Sequence, residues 1–94
     1  MLVLITYDVA TADKAGARRL RRVARACLDY GQRVQNSVFE CRVDEKNWAL
    51  LRNRLLTEIK TEEDSLRFYF LESDTPIEHF GTKKTIDLES PLIY

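Results

Sequence analysis

The hydrophobic period of this chain switches in a fixed order over its first 75 residues: strand, helix, strand, strand, helix, strand. That order is the split βαβ pattern of ferredoxin-like α+β domains, in which both helices cover one face of an antiparallel sheet. Leu2-Val3-Leu4-Ile5-Thr6-Tyr7 is a continuous β-rich apolar run, as expected of a central strand covered on both sides. Asp8 ends it, and Thr11, Ala12 and Asp13 supply turn and helix-cap chemistry. A helix is predicted over 14–30, with Leu20, Val23, Ala24, Cys27 and Leu28 as its buried stripe, Ala17 extending it and Gly31 as a left-handed cap. Residues 33–35 and 38–43 read as two short strands, or one sharply bent strand, around Asn36-Ser37. Asp44 then caps a second helix near 45–60 with Trp48, Leu51, Leu55 and Ile59 on its core face, and 66–71 is the last strand.

In such a sandwich one sheet face stays open, yet the outer strands carry apolar side chains on both faces. That predicts a partner, and a two-fold homodimer is the simplest one. With 94 residues and 45% apolar content the chain is one domain, 1–75, followed by a tail, 76–94. The tail ends in Pro91-Leu92-Ile93-Tyr94, too apolar for a plain extension, and reads as a short strand packed on or exchanged with the partner subunit. No segment reaches the roughly 18 apolar residues of a membrane span, and the start lacks a signal peptide's basic region, so a cytoplasmic protein without membrane contact is expected. Cys27 and Cys41 have no CxxC partner and read as reduced, buried thiols.

Charge is balanced overall but not along the chain. Residues 1–42 hold eight basic and four acidic side chains, and the remainder seven basic and eleven acidic. Lys14, Arg18, Arg21, Arg22 and Arg25 fall on one side of the first helix, a row of roughly 16 Å that could meet successive phosphates or be a solvated face. Phe68-Tyr69-Phe70 could stack on bases, as in a generic ferredoxin-like RNA-binding module, but core or dimer packing is the stronger reading because a strand needs those residues in any case. Phosphate loops, dinucleotide fingerprints, zinc-protease motifs and serine-hydrolase elbows are absent, and His79 is the only histidine. Asp8 is therefore the residue to explain. It is either a turn or cap acceptor or a ligand for a hard cation such as magnesium, which needs few protein carboxylates because water and phosphate complete its shell. A two-fold axis would bring a second copy near the first and allow metal-assisted attack on a phosphodiester.

Leu4-Ile5-Thr6-Tyr7-Asp8-Val9, the arginine-rich stretch 19–27, the segment Arg33-Val34-Gln35-Asn36-Ser37-Val38-Phe39-Glu40 and the closing 86–94 together resemble the second core family of CRISPR-associated proteins. The resemblance covers essentially the whole chain. It implies a homodimer with exchanged C-terminal strands and a role in spacer acquisition beside the integrase that inserts spacers. Family members are described as magnesium-dependent endonucleases on RNA or double-stranded DNA, which makes magnesium, with manganese as the alternative, the expected ion, or as a non-catalytic bridge that holds DNA. By position it implies that Asp8 binds metal with Tyr7 beside it, that Arg19, Arg22 and Arg33 meet nucleic acid with Arg18 and Arg25 on the same helix, and that Ser37 and Phe39 support the site.

Overall fold

In the computed structural model, which describes residues 1–81, the elements run β1 (Leu2–Asp8), α1 (Lys14–Tyr30), β2 (Gly31–Gln35), β3 (Val38–Arg42), α2 (Glu45–Glu58) and β4 (Ser65–Leu71). The four strands form one sheet in the order β2-β3-β1-β4, and every pairing is antiparallel. This is the ferredoxin-like arrangement expected from the sequence. Both helices start where an aspartate accepts from the third backbone N–H beyond it: Asp13 from Gly16 (2.7 Å) and Asp44 from Asn47 (2.7 Å).

Strand register assigns the two faces, because directly paired residues share one. Val3, Ile5 and Tyr7 lie with Cys41, Phe39, Phe70, Phe68 and Leu66 on the face the helices cover. They form the core with Val23, Ala26 and Cys27 of α1 and Leu51 and Leu55 of α2. Trp48 closes its edge, meeting the rings of Phe68 (4.7 Å) and Phe70 (5.4 Å) edge-on. Leu4, Thr6 and Asp8 lie with Glu40, Val38, Tyr69, Arg67 and Ser65 on the other face, which neither helix covers. Phe68-Tyr69-Phe70 is thus split between faces, which leaves no single stacking platform.

Two local expectations are corrected. Gly31 is not left-handed: its backbone is extended (φ −161°) and opens β2. A Cβ there would run into the Glu40 carbonyl and lie 2.8 Å from Cys41 Cα, so a glycine is needed for close approach of β2 to β3. The inward stripe of α1 is Gly16, Arg19, Val23, Ala26 and Cys27, whereas Leu28 is 44% exposed and Ala17, Leu20 and Ala24 are half-buried. The helix is rolled so that Arg19 points inward, to a partner described below. Cys27 and Cys41 are free and buried, and burial pushes both thiols up to about 12, which makes them packing groups rather than nucleophiles.

Residues 72–81 have no regular structure. Ser73 lies beside β3, where its carbonyl accepts from Arg42 (2.8 Å), and His79 and Phe80 line a cavity of about 670 Å³ with the β2–β3 turn. The expected tail strand falls on residues 82–94, outside those described.

Candidate metal and nucleic-acid site

The strand alternation that turns Tyr7 into the core turns Asp8, the next residue, onto the uncovered face. Asp8 is exposed and pairs in register with Ser65. Among the described residues nothing holds its carboxylate by hydrogen bond or ion pair, although three other aspartates of the chain are engaged. Asp13 and Asp44 cap the helices, and Asp64 accepts from the backbone N–H of Ala10 (3.1 Å), two residues past Asp8. The turn-or-cap role open to Asp8 from sequence alone is taken by others.

Behind Asp8, Tyr7, Arg33, Ser37 and Phe39 come together. Tyr7 stacks on Phe39 at 6.1 Å, and the Arg33 guanidinium sits over the same Phe39 ring at 5.1 Å. The Tyr7 hydroxyl donates to the Asn36 carbonyl (3.4 Å), and its backbone N–H to the Ser37 carbonyl (3.1 Å). Burial first, then the Cys27 thiol beside it, raises the Tyr7 phenol above its ordinary value, with Arg33 opposing, so it remains a protonated donor. This cluster supports the strand end and the β2–β3 turn from the core side.

The first-helix arginines divide. Arg18, Arg21, Arg22 and Arg25 line a groove of about 660 Å³ between α1 and α2, with Arg54 across it and Leu28 in its wall. Glu58 lies 3.7 Å from Arg22, and Asp29 holds Arg54 at 2.7 Å. Both ion pairs are largely exposed and weak. Arg19 instead faces inward. Its Nε and Nη2 donate to the two carboxylate oxygens of Asp64 (2.9 and 3.2 Å), whose side chain is fully buried. The Arg19 bonds, followed by those from Lys60 and Ala10, hold the Asp64 carboxyl down to about 2 against the opposing effect of burial.

Two residues had not stood out in the sequence. Asp64 lay in an acidic loop, Thr61-Glu62-Glu63-Asp64, with nothing to mark which carboxylate turns inward. Arg67 is exposed on the uncovered face, paired with Thr6 and therefore diagonal to Asp8, roughly 7–8 Å away at Cα by sheet geometry. Its guanidinium donates to the Tyr69 hydroxyl (3.2 Å). Strand alternation within 66–71 carried that signal, since Arg67 and Tyr69 fall opposite Leu66, Phe68 and Phe70.

No three His, Cys, Asp or Glu side chains come together as a metal cage among the described residues. Among the described residues Asp8 therefore stands as a lone carboxylate at its strand end and not as part of a cage. That fits a largely hydrated hard cation such as magnesium, and does not fit a site that strips an ion of its water.

A ferredoxin-like α+β domain with an unclaimed acid at the end of β1 and a basic groove on its helix layer is the class that fold and geometry define. The chain belongs to the CRISPR-associated protein Cas2 family, whose model matches residues 1–76. A CRISPR-associated endoribonuclease Cas2 from Nitratidesulfovibrio vulgaris is 58% identical over 99% of this chain and 93% of its own length. A CRISPR-associated endonuclease Cas2 from Halalkalibacterium halodurans is 56% identical over the whole of both chains. Among solved structures, Streptococcus pyogenes Cas2 superposes with a TM-score of 0.75 at 49% identity, covering 86% of this chain and 100% of that one. No helix among the described residues is long and apolar enough to cross a membrane.

Proposed function

We propose that this chain acts in CRISPR spacer acquisition as a homodimeric, magnesium-dependent endonuclease on RNA or double-stranded DNA, with Asp8 as the catalytic metal ligand. The observation that carries this is the free Asp8 carboxylate on the uncovered face, with the helix-cap and loop-anchoring roles filled by Asp13, Asp44 and Asp64. The relatives named endoribonuclease and endonuclease support the reaction class.

Asp8 of each subunit would hold magnesium, or manganese in its place, with water and the substrate's own phosphate completing the shell. Such an ion would supply Lewis-acid polarisation of the phosphodiester and a more acidic water. Arg67, diagonal to Asp8 on the same face, is placed to meet a phosphate oxygen and offset the charge that develops on it. Tyr7, stacked on Phe39 beneath Arg33, fixes the strand end from inside, and Ser37 holds the neighbouring turn against it. In the proposed homodimer a two-fold axis passing near the uncovered faces would bring two copies of Asp8 together.

A second reading, a DNA-holding bridge for the spacer integrase, is favoured by a different observation. The groove of Arg18, Arg21, Arg22, Arg25 and Arg54 lies on the helix layer, on the opposite side of the sheet from Asp8. Nucleic acid held there is not presented to the Asp8 of the same chain, so holding and cutting are separable. The test is Asp8→Ala in the purified protein, assayed for magnesium-dependent cleavage, for DNA affinity and for spacer acquisition. Loss of cleavage with affinity retained supports the nuclease, and unchanged cleavage overturns it. Intact acquisition alongside lost cleavage makes the bridge the cellular role.

A further inference from the structure

We infer that Gly16, Arg19 and Asp64 are positioning residues that clamp the Asp8–Ala10 segment and so fix the direction of the Asp8 carboxylate. The inference rests on the nuclease reading for its consequence, though not for its geometry.

The Ala10 peptide is gripped from two sides. Its N–H donates to Asp64 Oδ1 at 3.1 Å. Its carbonyl lies so close over Gly16 that a Cβ there would meet the oxygen and come within 2.9 Å of the carbonyl carbon. Asp64 is itself immobilised. Oδ1 also accepts from Arg19 Nη2 (3.2 Å), and Oδ2 accepts from Arg19 Nε (2.9 Å) and the Lys60 backbone (2.9 Å). The Asp64 N–H closes the same turn onto the Lys60 carbonyl at 2.7 Å. Ser65, the next residue, pairs with Asp8 across the sheet. Asp8 thus sits between a ladder partner and an anchored peptide two residues on.

The charges explain why the clamp is ionic. A buried carboxylate needs a countercharge, and Arg19 supplies it in a two-toothed geometry that leaves the carboxylate's remaining acceptor capacity for backbone N–H groups from two loops. An apolar pair could fill the volume but could not hold the Ala10 N–H. A ligand at a strand end is useful only if its direction is fixed, since a displacement of about 1 Å at a reacting group costs up to roughly a hundredfold in rate. Arg19 therefore serves the site through Asp64, without meeting nucleic acid, although the family resemblance groups it with Arg22 and Arg33.

The test uses the full-length protein with Asp64→Asn, Gly16→Ala and Arg19→Lys, and two independent readouts. Amide hydrogen exchange compares Ala10 with Ile5 in the middle of β1. Magnesium-dependent cleavage is measured alongside nucleic-acid affinity across a salt series. Asp64→Asn and Gly16→Ala are expected to speed exchange at Ala10 about tenfold or more with Ile5 still protected. Both should lower kcat by roughly ten- to a hundredfold, with affinity and salt slope unchanged. Arg19→Lys, which keeps the charge and loses the fork, should fall between them and the unaltered protein. Exchange that stays slow at Ala10, or rises equally at Ala10 and Ile5, overturns the clamp. Faster exchange at Ala10 with unchanged kcat, in a protein that Asp8→Ala inactivates, overturns positioning while leaving the nuclease reading intact. If Asp8→Ala leaves cleavage untouched, the nuclease reading fails, and Ala10 exchange alone decides whether the clamp holds.

Discussion

Asp8 and Asp64 are both acids at strand ends, paired through the sheet by Ser65, and their surroundings give them opposite tasks. Asp8 is exposed with no described partner, whereas Asp64 is buried under Arg19 and two backbone donors. Breaking a buried pair leaves the other charge uncompensated, so Asp64→Ala is expected to cost about 3–5 kcal/mol, read from urea unfolding. Asp8→Ala, at an exposed position, should stay within roughly 0.5 kcal/mol of the unaltered protein. The same contrast predicts a pH dependence. The Asp64 carboxyl is held at about 2 in the folded chain against an ordinary 3.8. Its stabilising contribution is complete above the ordinary value and is lost as pH falls from near 4 through about 2. Unfolding free energies across that window should decline more steeply in the unaltered protein than in Asp64→Asn, and parallel curves would remove Asp64 as the source. Phe39, fully buried between Tyr7 and Arg33, is a packing residue at the same scale. Phe39→Ala should cost about 3–5 kcal/mol, so a loss of activity in that variant is to be compared with Phe39→Leu, which restores most of the packing, before a direct role is assigned.

At the scale of elements, α1 carries two jobs on two faces. Arg18, Arg22 and Arg25 line the groove toward α2, and Arg19 is turned into the clamp. Replacing the first three by glutamine should leave stability nearly unchanged and lower the slope of log affinity against log salt by roughly one per lost phosphate contact. Arg19→Gln should do the reverse, lowering stability with little change in slope. An equal loss of slope at Arg19 would return it to the nucleic-acid surface. This division also marks what the sequence could and could not reveal. Element type and order were legible because the periods of strands and helices are imposed by backbone geometry and show in Leu2–Tyr7 or in Leu51 and Leu55 without reference to the rest of the chain. The inward turn of Arg19 depends on a carboxylate 45 residues away, and no local pattern distinguishes Asp64 from Glu62 or Glu63 beside it. Gly31 departs from its local pattern for a related reason. Its glycine answers to the cross-strand contact with Glu40 and Cys41, which is a long-range fact, and the local sequence suggested a helix cap instead. Of the site, Asp8 and the Tyr7–Phe39 neighbourhood were visible as a motif, whereas Arg67 needed the register with Thr6 to join them.

At the scale of the whole molecule, the two faces of the sheet are chemically unequal. One is sealed by α1 and α2, and the other presents Asp8, Glu40, Arg67 and Tyr69 with Leu4 and Val38. Glu40 pairs with Leu4, four residues and roughly 13 Å back along β1 from Asp8, so one chain offers a single carboxylate at the strand end, and the proposed dimer is part of the chemistry and not only of the packing. That dependence can be measured by mixing subunits. Unaltered protein and an excess of Asp8→Ala protein are unfolded together, refolded so that subunits redistribute, and assayed for magnesium-dependent cleavage per unaltered chain. If both Asp8 copies act on one ion, only dimers with two unaltered subunits cut. At equal amounts these are roughly a quarter of all dimers, so activity per unaltered chain should fall to about half. If each Asp8 works alone, mixed dimers retain one working site and activity per unaltered chain does not change with the ratio. The curve of activity against mixing ratio separates the two cases, quadratic in the unaltered fraction for a shared site and linear for independent ones. A linear curve would leave Asp8 a ligand but would make the dimer a matter of assembly, and would shift the burden of charge compensation onto groups within one chain, Arg67 first.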